Sequence, residues 1–407
     1  MNIWIFNHYG VGPNSSGITR HFDLAKELVS KGHNVTIFAA SFNHQKREEQ
    51  QKYDKGNEYV IYDYNGVKFY WIKTPKYYKN DYRRILNMLL YTYRTNKLVK
   101  KVEGTPDIII GSLMHPLAAI LGYKISKKLK TKFYFEERDL WPQSLIDLGK
   151  ISSKSVIVKV LSKLELFLYK KADKIIVLFD KAPKYVKKRG IKSEKIIYLP
   201  NGVDFNLYKV EKKLPDLYLN TLYKLKDKFL LVYTGAHGLA NNLGSMLEIA
   251  EKVYDQDENI HFLLVGDGPE KDKIIRQADE KNLKNLTFLP SIQKDCIPSL
   301  LKYANAGIIT MHNAEVYKWG ISLNKMFDYM AACLPIVMLS NLQDTIISKQ
   351  NLGIVSSNVD NIAERIVKLS NNKALLEKYS VNSFMYGKQN HSWEKLAEKL
   401  ETNFYDN

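Results

Sequence analysis

Short β-rich runs alternate with amphipathic helical runs along this chain, in two successive series. That alternation is the pattern of parallel α/β sheets, in which each strand is followed by a helix that returns the chain to the same edge. In the first series the strands fall at 2–7, 34–40, 108–110, 132–135 and 174–178, with shorter extended runs at 67–72 and 195–198. In the second they fall at 229–233, 260–265, 286–288, 307–310 and 336–339, with helices near 243–254 and 270–281. Leu199-Pro200-Asn201-Gly202-Val203-Asp204 is a turn cluster between the two series, and a charged stretch follows it to Lys228. The boundary therefore falls near residue 200. The expected fold class is α/β, with parallel sheets carrying helices on both faces, in an N-terminal domain over 1–200 and a C-terminal domain over 201–388. The tail, 389–407, is helical in pattern, and its apolar face with Trp393, Leu396 and Leu400 needs a surface to bury against.

The N-terminus reads as a first core strand running into a Gly/Pro/Ser loop, without the basic and apolar regions of a signal peptide. The apolar stretch 108–123 is interrupted by Gly111, Ser112, His115 and Pro116, which divide it into strand, turn and helix and exclude a membrane span there. Two cysteines, Cys296 and Cys333, exclude a disulfide framework and read as small buried thiols in a reducing compartment. The net charge of +18 favours an anionic partner or reflects a solvated basic surface.

In open α/β sheets, ligands bind where strand ends, loops and helix N-termini meet. Five such places stand out. Gly10-Val11-Gly12-Pro13-Asn14-Ser15-Ser16-Gly17 joins the first strand to a helix that Ser15 or Ser16 caps, Gly17 opens and Gly32 ends; it is either a tight turn or a phosphate contact. Thr234-Gly235-Ala236-His237-Gly238 repeats that logic in the second series, with His237 a phosphate donor or simply a loop residue. Val265-Gly266-Asp267-Gly268-Pro269-Glu270 is a third glycine turn, with Pro269 suited to a first helical position. In Trp319-Gly320-Ile321-Ser322-Leu323-Asn324-Lys325-Met326-Phe327-Asp328-Tyr329-Met330 a helix starts near Ser322 or Asn324, with Met326, Phe327 and Met330 on its buried side. Lys325 in its first turn opposes the helix dipole, a cost that makes sense if an anion docks there; Asp328 shares its face and can accept from a ribose diol. Last, Phe135-Glu136-Glu137-Arg138-Asp139-Leu140-Trp141-Pro142 crowds three acids and an arginine at a strand end, either as an acceptor site or as a salt-bridged loop.

Together these stretches resemble the retaining, family-four glycosyltransferases of the two-lobed GT-B fold: two Rossmann-like domains facing a cleft. The stretches that carry the resemblance are the Gly17 loop, Glu136 to Ser144, Leu199 to Asp204, Gly266 to Glu270, and Gly320 to Lys325 continuing through Met330-Ala331-Ala332. They resemble most the bacterial branch that builds capsule, O-antigen or colanic-acid repeat units, such as the L-fucosamine transferases. The resemblance implies a C-terminal lobe holding a nucleotide sugar, an N-terminal lobe holding the acceptor, and a C-terminal helix crossing back to bury Trp393. It implies Asp139, Arg138 and His115 as candidate catalytic residues. It implies Gly17, Gly238, His237, Gly268, Ser291, Ile292, Ser322, Asn324, Lys325 and Asp328 as candidate donor-binding residues, with the 290–292 loop near the base of a UDP-sugar.

The sequence departs from the wider family at four places. The usual arginine and lysine of the nucleotide lobe fall on Ala236 and Asn241, and the first acid of the paired-glutamate motif falls on Gly320. The second falls on Asp328, and the histidine of many relatives falls near Arg138 and Asp139. Lys325 is thereby the main candidate to meet the diphosphate charge. The implied reaction retains configuration, needs no metal or other cofactor, and lets the leaving phosphate take the acceptor proton. Its partners are a nucleotide sugar and a lipid-linked or glycan acceptor.

Basic amphipathic helical patterns at 83–101 and 154–171 suit either packing on the sheet or peripheral contact with an anionic membrane at the cytoplasmic face. An epimerase of the same architecture is one alternative. A nucleic-acid-binding protein is another, opposed by the absence of a basic-aromatic strand pattern.

Overall fold

The computed structural model describes residues 1–13, 19–44 and 46–405. The chain divides into two compact units. The first comprises Met1–Pro200, Trp319–Ile321 and the tail from Trp393; the second comprises Asn201–Lys318 and Ser322–Ser392.

The first unit is built on an eight-stranded sheet in the spatial order 196–198, 174–177, 132–137, 108–113, 2–6, 34–40, 67–72, 59–64. All pairings are parallel except that of the edge strand Tyr59–Tyr64, which is antiparallel to Val67–Ile72. The inner strands are buried along nearly their whole length, as parallel strands covered on both faces must be. On one face Phe6, Phe38 and Phe135 pack with Tyr91, Leu121 and Leu168 of the helices Tyr82–Leu98, Pro116–Leu129 and Val156–Lys171. On the other face Ile5 and Ile37 pack with Leu28 of Arg20–Ser30 and with Trp393, Leu396 and Leu400 of Trp393–Thr402. The tail's apolar stripe thus finds its burial partner on the first sheet.

The second unit holds a six-stranded, fully parallel sheet in the order 286–289, 260–265, 229–234, 306–310, 336–339, 353–356. Among the parallel strands of each sheet the order reverses between 2–6 and 108–113 in the first and between 229–234 and 306–310 in the second. Such reversals open a crevice at the strands' carboxyl ends.

Several local expectations change. The first described helical residue of the first helix is Arg20, with Thr19 as N-cap; Ser15, Ser16 and Gly17 lie outside the described residues. The third glycine turn runs on to Glu270 before its helix Lys271–Glu280 begins, so Pro269 is not its first residue. Strand 132–137 takes in Glu136 and Glu137, which are therefore strand rather than loop. Cys333 is exposed, not buried, and sits at φ 58° in the turn after the helix Asn324–Ala331. Among the described residues no helix is long and apolar enough to cross a membrane.

Candidate functional site

In the second unit, helix Asn324–Ala331 is clamped to the strand reversal by Tyr329. The Tyr329 hydroxyl accepts from Thr234 N (3.1 Å) and donates to Ile308 O (3.3 Å), which ties the two switch strands together. A Cβ at Gly307 would overlap the Tyr329 ring, so glycine there is what lets the helix approach. Lys325 lies one turn earlier on the same helix face. Its amine donates to Tyr233 Oη and to Asn241 Oδ1, both at 2.9 Å, and lies 4.0 Å from the Tyr233 ring centroid. Among the described residues no carboxylate pairs with it. Desolvation draws its pKa down to about 7. Asn241 is thus an acceptor for Lys325. Asp328 accepts a 3.0 Å hydrogen bond from the Tyr208 hydroxyl.

The two glycine turns beside Lys325 are stitched together. His237 N donates to Asp267 O (2.9 Å) and Glu270 N donates to His237 O (3.0 Å). A Cβ at Gly266 would overlap the Gly235 carbonyl, and one at Gly268 the His237 backbone, so both glycines are demanded by this close approach. The His237 side chain is fully buried between Tyr233 and Phe288, neither ring nitrogen has a hydrogen-bond partner, and burial draws its pKa down to about 4. Burial thus disfavours a positive charge on this ring. Gly238 is open on its Cβ side. Ser291 N donates to Asp267 Oδ2 (2.7 Å), which anchors the loop carrying Ile292. The Ser322 hydroxyl accepts from Asn201 N (3.0 Å) and so closes the turn cluster; Asn324 is exposed as the first helical residue.

Trp319 and Gly320 belong to the first unit. Trp319 packs on Tyr185 and its indole donates to Asp147 Oδ2 (3.3 Å). Gly320 has φ 101°, and a Cβ there would overlap the Asp180 carboxylate. A side chain at 320 would be strained at this φ and would have to displace the Asp180 carboxylate.

At the first unit's strand reversal, Glu136 is buried and accepts from Arg20 Nε (2.9 Å), His21 Nε2 (2.6 Å) and Ser112 Oγ (2.6 Å). Asn7 Nδ2 donates to His21 Nδ1 (2.8 Å). Burial opposes the charge on Glu136, yet His21, Arg20 and Arg138 hold its carboxyl well below the usual range. The same burial lowers His21, against the pull of Glu136. Glu137, on the opposite side of the strand, is driven up by burial and by Glu165, and accepts from Tyr169. Arg138 and Asp139 follow on the next turn. Arg138 is buried while Asp139 reaches solvent. His115 stands apart from them: its Nε2 lies 2.6 Å from His8 Nδ1, beside Tyr9 and Tyr91. Burial, with Arg84 adding to it, lowers His115 to about 3, so the pair is neutral and hydrogen-bonding rather than cationic.

Sequence reasoning had passed over Arg20, His21, His8, Asp180 and Tyr208. A basic pair directly after a Gly/Ser loop was a usable signal for Arg20 and His21; nothing local marks Asp180 or Tyr208. Among the described residues no group of three or more His, Cys, Asp or Glu is placed to hold a metal ion.

Two family profiles match the chain, Glycosyltransferase Family 4 over residues 15–207 and Glycosyl transferases group 1 over residues 219–384. The putative colanic acid biosynthesis glycosyl transferase WcaI of Escherichia coli is 21% identical over 315 residues, covering 74% of this chain and 75% of that protein. A poly(ribitol-phosphate) alpha-N-acetylglucosaminyltransferase of Staphylococcus aureus is 25% identical over 158 residues, 38% of this chain and 31% of its own length. Among solved structures, a sucrose-phosphate synthase of Thermosynechococcus elongatus superposes with TM-score 0.74 at 14% identity, covering 98% of this chain and 97% of that one. Anabaena HepE in complex with UDP-glucose superposes with TM-score 0.67 at 13% identity, covering 99% of each chain.

Proposed function

The chain being a glycosyltransferase of the two-lobed GT-B fold, we propose that it moves a sugar from a UDP-sugar to a lipid-linked or glycan acceptor of bacterial surface polysaccharide, with retention of configuration. The observation that carries this reading is Lys325. A half-buried amine with no carboxylate partner, at a helix start on the strand reversal, is a site built for an anion. In the proposed reaction the donor diphosphate takes that place, and the charge that develops on it as the sugar departs is met by Lys325 and by backbone amides near Gly238. Asp328 would hold the ribose diol, sharing its carboxylate with Tyr208. The 290–292 loop, fixed by Asp267, would flank the base. The acceptor would meet the carboxyl edge of the first sheet, with the neutral His115–His8 pair orienting a hydroxyl and the leaving phosphate taking its proton. Neutral rings suit hydrogen bonding to a hydroxyl better than binding a charge.

UDP and colanic-acid synthesis appear in the names of similar proteins, and that supports the donor and the pathway class. Protection against thermal unfolding by UDP, GDP and ADP tests the donor. UDP-selective protection that disappears in Asp328→Ala supports the reading; no protection by any nucleoside diphosphate removes it. The anomeric configuration of the product, read by NMR, tests retention.

Peripheral membrane contact is the second part of the proposal. Val156, Ile157 and Val160 are 73%, 60% and 59% exposed, and Ile85 and Leu89 are 58% and 50% exposed. These residues lie on the helices Tyr82–Leu98 and Val156–Lys171, which flank Pro116–Leu129 on one sheet face. The only acid in the three helices is Glu165, and it is buried. An apolar stripe among lysines and arginines without exposed carboxylates matches an anionic bilayer. Wild-type protein should float with vesicles containing phosphatidylglycerol and not with phosphatidylcholine alone, and Val156→Ser with Ile157→Ser should abolish flotation. Flotation indifferent to lipid charge would refute docking.

A further inference from the structure

Arg138 carries a buried charge with no hydrogen-bonded partner among the described residues. The residue is 8% exposed, at the carboxyl end of strand 132–137. Its guanidinium makes no hydrogen bond to any described residue, and its Nε is an orphaned buried donor. The neighbouring Arg20 is satisfied at each nitrogen: Nε by Glu136, Nη1 by Pro200 O and Nη2 by Leu199 O. Glu136, the acid on Arg138's side of the strand, has both oxygens engaged by Arg20, His21 and Ser112. Glu137 points to the opposite side and accepts from Tyr169 and from Trp141 N. Asp139 is exposed. Glu136 and the exposed Asp139 act on Arg138 only through space, and neither carboxylate hydrogen-bonds its guanidinium.

A buried arginine left without partners is unfavourable by itself, because desolvation is not repaid. The planar fork with all its donors open matches the oxygens of a phosphate group, which would supply both the missing charge and the missing acceptors. Burial, with Arg20 adding to it, lowers the guanidinium's pKa against the pull of Glu136 and Asp139. We propose that Arg138 is a binding site for a phosphate group carried by a substrate. The proposal deepens the glycosyltransferase reading and rests on it only for which molecule brings the phosphate: the donor diphosphate or a phosphate on the acceptor.

Two measurements test the site independently of transfer. First, Arg138→Met should raise the melting temperature of the ligand-free enzyme by a few degrees, because it removes an unpaired buried charge at similar volume. Second, inorganic phosphate should raise the melting temperature of Lys325→Met enzyme, and should not raise that of Lys325→Met with Arg138→Met. Kinetics then assign the source. A loss of about 100-fold in kcat/KM for the acceptor, with the donor Kd unchanged, places the phosphate on the acceptor. A loss of donor affinity places it on the donor, and Arg138→Lys should recover part of either loss. A lowered melting temperature in ligand-free Arg138→Met would reveal a structural pairing and overturn the proposal. So would phosphate protection that survives in the double variant. Because the first two measurements need no turnover, they can succeed even if the proposed transfer reaction fails.

Discussion

Replacing Lys325 with methionine keeps the length of its stem and removes its charge. In the ligand-free protein the amine meets only two neutral oxygens and a tyrosine ring, and its pKa lies at about 7 against an ordinary 10.5. The unfolded chain therefore binds more protons than the folded one between those values, and this group adds to stability as pH rises through that window. The Lys325→Met variant should lose that slope and should be no less stable than wild type near neutral pH. Donor binding should behave in the opposite way. A diphosphate raises the amine's pKa, so binding takes up a proton. Affinity should be flat below about pH 7 and fall by up to about tenfold per unit above it. At about 4 Å and an effective dielectric near 20, one such charge pair is worth about 4 kcal/mol. Allowing for water that reaches the half-buried amine, the variant should lose about 100-fold or more in kcat/KM for the donor. Calorimetric titration of UDP from about pH 6 to pH 9, in buffers of different ionisation enthalpy, counts the proton directly. A donor affinity independent of pH over that range, or a variant within about threefold of wild type, would refute the reasoning.

The Glu136→Gln substitution leaves Arg20 without its counter-charge and should cost about 3–5 kcal/mol in urea denaturation at neutral pH. Because the folded carboxyl sits below its ordinary pKa, the wild-type contribution is present above the unfolded value and is lost as pH falls. Glu137→Gln should be nearly neutral at low pH and stabilising above the ordinary glutamate range, since its carboxyl is driven upward and favours folding only while protonated. Gly320→Ala should lower stability by about 1–3 kcal/mol, from its left-handed φ and the overlap with Asp180, read as a fall in melting temperature. Trp393→Ala should cost about 3–5 kcal/mol, because the indole is buried against the first sheet; an unchanged melting temperature would show that the tail is not docked.

Much of the fold was legible from local pattern. Strands 34–40, 67–72, 260–265 and 336–339 match the periodicity residue for residue, since buried parallel strands are continuous apolar runs. Strand 59–64 was missed because it is a half-exposed edge strand whose tyrosines dilute the pattern. The Asn65-Gly66 turn, with both residues at positive φ, was the available signal for that hairpin. Strand 353–356 was missed because only Ile354 and Val355 in it are apolar, against all four residues of 336–339.

The site divides along the same line. The sequence by itself determined which loops follow which strands, that Lys325 lies in the first turn of a helix, and that the tail's apolar face needs a partner. Those properties depend on neighbours a few residues apart. Tertiary structure alone decided that Lys325 and Arg138 lack carboxylate partners while Arg20 has one, that His237 is an interior ring, and that Asp180 occupies the space a side chain at 320 would need. Whether a charge is paired depends on groups brought together from distant parts of the chain, and in a low-dielectric interior that pairing sets both its energetic cost and its capacity to bind a ligand.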